Sequence, residues 1–128
     1  MTPTLLLAVA AGGAVGAVAR YLAVLGVTHL MGPGFPWGTF AVNVLGSFTM
    51  GLVVELTAHV WSPSPALRTA ITVGLLGAFT TFSTFSLDVV MLLQRGAVLP
   101  ASLYVIGSVA VCVLGLLAGL ATVRMVAG

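Results

Sequence analysis

Apolar residues fill four long stretches of the chain, and short polar breaks separate them. The stretches run from Thr4 to Leu25, Gly38 to Ala58, Leu67 to Leu93 and Leu99 to Val126. Each is long enough to cross a hydrocarbon core of about 30 Å, because a helix needs roughly 20 residues for that distance. The breaks are rich in glycine, proline and serine, which end helices. The pattern therefore predicts an all-α integral membrane protein, with four transmembrane helices in a single domain over residues 1–128.

The third stretch contains a polar segment that lipid would not solvate. Phe79, Phe82 and Phe85 recur there every three residues, which predicts that they share one helix face. The hydroxyl residues between them are Thr80, Thr81, Ser83, Thr84 and Ser86. Polar groups inside a bilayer must bond to other protein groups or line a path. Hydroxyls and aromatic edges without a formal charge are suited to pass a small ion without trapping it.

Two further polar stripes follow helical spacing in other stretches. The stripes are Thr39, Asn43 and Ser47 in the second stretch, and Tyr104, Ser108 and Cys112 in the fourth. Taken singly, such residues more often serve packing, since serine and threonine bond their own helix and asparagine joins helices. Three stripes in three stretches of one small protein favour a lined pathway about as strongly as they favour packing.

The composition excludes most soluble functions. Hydrophobic residues make up 60% of the chain and charged residues 5%, with a mean hydropathy of +1.26. Little chain remains outside the apolar stretches to form a soluble catalytic domain. The single cysteine gives no disulfide framework, and the sequence has no metal-ligand spacing, nucleotide-binding loop, nucleophile–base pair or basic nucleic-acid surface. We therefore expect neither an enzyme nor a nucleic-acid-binding protein.

The few charges are balanced between the two sides of a four-span chain. One side carries Arg68, Arg124 and Glu55, and the other carries Arg20, Arg95 and Asp88. Equal arginine counts give no preferred orientation, so the chain is expected to insert both ways and to pair antiparallel as a homodimer. The alternative is that Arg20 lies too deep to count and Arg68 decides a single topology. Arg20 itself would either extend to the membrane boundary or attract anions in an aqueous vestibule.

Small residues four positions apart predict close helix packing. The pairs are Gly12 with Gly16, Ser47 with Gly51, and Gly115 with Gly119. Their spacing predicts contacts between helices without specifying which helices meet.

Several of these segments together resemble the Fluc (CrcB) family of small bacterial fluoride channels over essentially the full length. The segments are Gly12–Gly16 with Arg20–Tyr21, Gly38–Asn43 with Gly46–Phe48, Gly74–Gly77, and Thr80–Ser86. The resemblance implies a passive fluoride channel in the bacterial inner membrane that confers fluoride resistance. It also implies an antiparallel, dual-topology homodimer with two pores, whose third helix is broken at its middle. The expected partners are fluoride, membrane lipid and a second copy of the chain.

The resemblance assigns roles to individual residues. It implies that backbone carbonyls of Gly77 and Thr80 from both subunits hold a structural Na⁺ on the two-fold axis. The pore phenylalanines fall on Phe82 and Phe85 and the pore asparagine on Asn43. The other expected pathway residues are Thr39, Ser47, Ser83, Thr84, Tyr104, Ser108, Cys112 and Arg20. Cys112 departs from the hydroxyl expected at its position, because a thiol is larger and a weaker donor.

Two other functions remain open on the sequence. A small multidrug-type, proton-coupled transporter has the same size and helix count, but it needs a carboxylate deep in the first span, where this chain has none. A non-transporting assembly subunit would use the small-residue faces for partners and the hydroxyl stripes for packing. Ion flux through the purified protein alone separates the channel from the assembly subunit.

Overall fold

Four spans account for nearly all of the protein. The computed structural model describes residues 2–128, and no strand occurs within them. The spans are Pro3–Met31, Trp37–His59, Pro65–Gln94 and Val98–Ala127, each long and apolar enough to cross a membrane. The prediction of four transmembrane helices is confirmed. All four spans extend beyond their apolar stretches, because their helical hydrogen bonding continues into the flanking residues.

Helix ends coincide with residues that suit them. Thr2 caps the first span, and its hydroxyl accepts a hydrogen bond from the Leu5 N–H at 3.2 Å. Ser64 does the same for Leu67 at the start of the third span, with Pro65 in the first helical position. Gly96 has a φ of 76° in the turn before the fourth span, a conformation that glycine adopts without strain.

Glycines allow two pairs of spans to pack backbone against backbone. A Cβ on Gly51 would overlap the carbonyl oxygen of Leu116, and a Cβ on Gly119 would overlap that of Phe48. These contacts join the second and fourth spans, which pack extensively against each other. A Cβ on Gly16 would likewise overlap the third span, against which the first span packs. The small residues singled out in the sequence therefore lie at helix contacts.

The third span is irregular over much of its length. Its helical segments are Pro65–Thr69, the π-helical Ala70–Leu76, Gly77–Phe79 and Ser83–Gln94. Thr80 has extended backbone angles, φ −90° and ψ 158°, and residues 80–82 are not helical. The prediction that three phenylalanines share one helix face is therefore wrong. Phe79 ends the helix before the non-helical residues, Phe82 is the last of those residues, and Phe85 lies in the helix that follows, with the rings of Phe82 and Phe85 5.4 Å apart between centroids.

Candidate ion pathway

Residues of the second, third and fourth spans line a cavity of about 440 Å³ that is open at the surface of the single chain. Six of the predicted pathway residues line it: Asn43, Ser47, Phe82, Phe85, Ser108 and Cys112. Gly77 and Thr80, the two residues expected at the sodium site, line it as well. The lining thus combines one amide, four hydroxyl residues, a thiol and two aromatic rings, and it includes the non-helical segment of the third span. We call this space the main cavity.

Asn43 connects the second span to the non-helical segment. Its Nδ2 donates to the Thr81 carbonyl oxygen at 3.0 Å, and the Thr81 N–H donates to its Oδ1 at 2.8 Å. The two bonds satisfy the N–H and the carbonyl of Thr81, which lie outside the helix and would have no hydrogen-bond partner in lipid. A side-chain amide has two N–H bonds, so one of them remains available to the main cavity.

Arg20 binds the same region from the first span. Its Nε donates to the carbonyl oxygen of Ala78 at 3.0 Å, just before the helix ends at Phe79. A cation near the carbonyl end of a helix is favourable, because that end carries partial negative charge. In the single chain this side chain does not line the main cavity, and its guanidinium is bonded to the third span.

Aromatic rings continue from the main cavity into the core between the third and fourth spans. Phe85 is buried, and its ring centroid lies 5.4 Å from that of Phe82 and 5.0 Å from that of Tyr104. Phe82 is 76% exposed in the single chain. One member of the phenylalanine pair is thus fixed by packing, and the other presents its ring outward.

Tyr104 uses its hydroxyl within the protein. The side chain is 1% exposed, and its O–H donates to Asp88 Oδ2 at 2.9 Å. Asp88 also borders a second cavity of about 250 Å³, which Thr39 and Thr84 line. Thr39 and Thr84 therefore lie apart from the six predicted pathway residues of the main cavity, and Tyr104 lines neither cavity. The Tyr104–Asp88 bond had no signal in the sequence, because 16 residues separate the partners and the turn between the spans determines their register.

Three predicted pathway residues differ sharply in their surroundings. Ser108 is 6% exposed, and its hydroxyl has no hydrogen-bond partner within residues 2–128, although it borders the main cavity. Cys112 is partly exposed and borders both the main cavity and a smaller one of about 200 Å³. Ser83 is exposed and lines neither the main cavity nor the cavity around Asp88.

Two backbone carbonyls of the irregular segment lack donors. The Thr80 N–H and its hydroxyl both donate to the Leu76 oxygen, at 3.1 and 3.0 Å. The Thr81 N–H, which would reach Gly77 in a continuous helix, donates to Asn43 instead. Across the described chain, no N–H or O–H donates to the carbonyl oxygen of Gly77 or of Thr80. Both oxygens are therefore free to bind a cation.

A charged cluster joins the second and fourth spans at one end of the molecule. Arg124 Nε and Glu55 Oε1 lie 2.9 Å apart, and the Glu55 side chain is 6% exposed. His59 Nε2 lies 3.3 Å from the same carboxylate oxygen. Sequence reasoning placed Glu55 and Arg124 on one side of the membrane but did not predict that they pair.

Known proteins resemble the chain over almost its whole length. Residues 7–120 match the family model described as CrcB-like protein, Camphor Resistance (CrcB). A protein of Rhodospirillum centenum named "Fluoride-specific ion channel FluC" is 56% identical over 94% of this chain and 95% of its own length. Proteins with the same name from Nitrobacter winogradskyi and Geobacter sulfurreducens are each 50% identical, over 96% and 94% of this chain and 98% of their own lengths. With this coverage and identity, the chain belongs to the CrcB-like family.

Proposed function

We propose that this protein is a fluoride-selective channel that passively exports fluoride from the bacterial cytoplasm. The observation that carries the proposal is the main cavity, where the amide of Asn43, the Phe82–Phe85 pair and the unpaired hydroxyl of Ser108 meet. The names of the relatives supply the identity of the ion. The four spans make the protein a multi-pass membrane protein.

The lining suits a small, strongly hydrated anion. Fluoride leaves water only if other donors replace its hydration shell, and the free N–H of Asn43 and the O–H of Ser108 are such donors. Phenyl rings carry a positive edge, so Phe82 and Phe85 would stabilise an anion that passes their edges. No charged side chain within the described residues lines the main cavity, so an anion would not be held by a full countercharge. A narrow passage between rings would also disfavour the larger chloride ion.

Passive conduction is enough for fluoride resistance. Hydrogen fluoride crosses membranes as a neutral weak acid and ionises in the more alkaline cytoplasm. The anion then accumulates unless a membrane protein lets it leave. A selective leak lowers cytoplasmic fluoride without an energy source.

We further propose that two subunits pair antiparallel and form two pores. The exposed Phe82 ring and the exposed Gly77 at the main cavity are consistent with a surface that a second subunit covers. With the deep Arg20 left out, Arg68 and Arg124 on one side face Arg95 on the other, so the charge bias against insertion in both orientations is only one arginine. The non-helical segment of the third span would then serve as the break expected at the middle of that helix.

The same segment supports a structural sodium site between subunits. Hard cations prefer oxygen ligands, and the carbonyl oxygens of Gly77 and Thr80 are both without donors. The donor set of this chain therefore fits a sodium ion, held by the two carbonyls of each subunit. Its role would be to offset four aligned carbonyl dipoles at the interface.

Fluoride efflux from liposomes that contain only the purified protein tests the proposed function. A fluoride electrode measures the fluoride released from fluoride-loaded vesicles, and chloride-loaded vesicles serve as the selectivity control. We expect rapid fluoride release with no chloride release above that of protein-free vesicles. Absence of fluoride release from a chemically cross-linked, confirmed dimer would overturn the channel proposal and favour an assembly subunit. Release that requires a proton gradient would favour a coupled transporter.

A further inference from the structure

The thiol of Cys112 lies where the proposed pathway meets a side cavity. It is the only cysteine of the chain, and it is partly exposed. It borders the main cavity on one side and, with Ser47, the smaller cavity of about 200 Å³ on the other. A small molecule that enters the main cavity therefore reaches a nucleophilic sulfur.

Ser108 gives an independent indication that this part of the cavity receives a ligand. It precedes Cys112 by one helical turn, so both side chains lie on one face of the fourth span. Its hydroxyl is more than nine-tenths buried, borders the main cavity, and has no partner within the described chain. Buried hydroxyls without partners are rare, and a ligand in the cavity would give this one a partner.

We propose that Cys112 is a modification site within the ion pathway, at which small uncharged thiol-reactive sulfur compounds attach and block fluoride flux. The proposal rests on the proposed function, because it requires that fluoride passes this section of the main cavity. An adduct on the sulfur would fill space beside Ser108 and separate its hydroxyl from the passing ion. A bulky reagent would be excluded by the side chains that wall this part of the cavity, which include Leu116 and Val109.

The covalent step is a thiol–disulfide type exchange. With methyl methanethiosulfonate as the reagent, the Cys112 thiol first loses its proton to water or buffer. The thiolate attacks the divalent sulfur of the reagent, and a new S–S bond joins Cys112 to a methylthio group. The bond between that sulfur and the sulfonyl group breaks, and methanesulfinate leaves with the electron pair. Excess dithiothreitol reverses the step by exchange and restores the free thiol.

The experiment compares three proteins in fluoride-loaded liposomes, each before and after treatment. They are the native chain, Cys112→Ser, and the double variant Cys112→Ser with Leu114→Cys. Leu114 is on the same helix and is 61% exposed, but it does not border the main cavity. Each protein is its own reference for flux, and intact-mass spectrometry measures labelling. We expect treatment to lower flux about tenfold or more in the native chain alone, as expected for a blocked pore, with recovery in dithiothreitol.

Each outcome decides a different point. No fluoride flux from the untreated native protein would overturn the proposed function and this inference with it. Full labelling with unchanged flux would overturn the inference alone and would mean that the adduct lies in the side cavity. If a concentration of methyl methanethiosulfonate that labels the Leu114→Cys double variant leaves the native protein unlabelled, the inference about Cys112 is also overturned. Equal loss of flux in the Leu114→Cys protein would show a nonspecific effect and would count against a site at Cys112.

Discussion

The side-chain amide of Asn43 hydrogen-bonds both backbone polar groups of Thr81, so the second span holds the third where its helix is interrupted. The relationship gives one residue two tasks. Its Oδ1 and one N–H fix the non-helical backbone, and its second N–H has no partner within the described chain, where Asn43 borders the main cavity. In the proposed channel, positioning of the segment and binding of an anion would therefore be coupled through a single side chain.

Replacing Asn43 with alanine should reduce both stability and flux. The Thr81 N–H and carbonyl would lose their partners, and a buried polar group left without a hydrogen bond lowers the free energy of unfolding by about 1–3 kcal/mol. We expect a lower melting temperature of the detergent-solubilised protein and a loss of fluoride flux of about tenfold or more. Thr49→Val is the matched control, because Thr49 bonds only the Leu45 carbonyl of its own helix. A melting temperature equal to that of the control would show that the Asn43–Thr81 bonds contribute little.

Phe82→Ile and Phe85→Ile should impair conduction while leaving the dimer assembled. Isoleucine keeps an apolar side chain but removes the positive ring edge that we propose an anion passes. Size-exclusion chromatography checks assembly, and liposome efflux measures conduction. Phe48→Ile is the control, since Phe48 is on the second span, lies outside the cluster around Phe85 and does not line the main cavity. Unchanged flux in both variants would show that neither ring lines the ion pathway.

Sodium should stabilise the assembled protein more than potassium or N-methylglucamine does. A ligand that binds only the folded dimer raises stability by RT ln(1 + [L]/Kd), so the melting temperature should rise with sodium concentration. The effect should be lost when Thr80 is replaced by proline, which distorts the segment that supplies the carbonyls. Equal melting temperatures in all three salts, at fixed ionic strength, would exclude a sodium site at Gly77 and Thr80.

The sequence predicted the elements well and the contacts between distant residues poorly. Four spans followed from hydropathy, because burial in lipid requires long apolar helices. The regular spacing of Phe79, Phe82 and Phe85 suggested one helix face, and the irregular backbone between the first two made that interpretation wrong. Backbone hydrogen bonds to side chains on other spans stabilise that irregularity, as those of Asn43 and Arg20 do. Such partners depend on how the helices pack, and local spacing carries no information about that.

The Glu55–Arg124 pair should contribute to stability chiefly by neutralising a buried carboxylate. Arg124→Met would leave Glu55 with His59 as its remaining partner, so we expect a lower melting temperature. Adding Glu55→Gln to that variant removes the carboxylate charge that has lost its arginine partner. The melting temperature of the double variant should therefore recover in part, so the effects of the two substitutions would not be additive. Arg68→Met is the control, because Arg68 bonds only a backbone carbonyl at the same end. Additive losses in the double variant would mean that the two residues act independently.

Orientation should respond to a single added lysine. Arg20 bonds Ala78 near the middle of the third span, so its charge lies deep and few exposed cations are left to set topology. Ser62→Lys, in the exposed turn between the second and third spans, should fix one orientation. Because we propose that each dimer needs both orientations, flux per protein should fall. Gly34→Lys, on the opposite side and with open space at its Cβ position, should bias the other way. Expressed together, the two variants should assemble and recover flux, whereas full flux from Ser62→Lys alone would argue against antiparallel pairing.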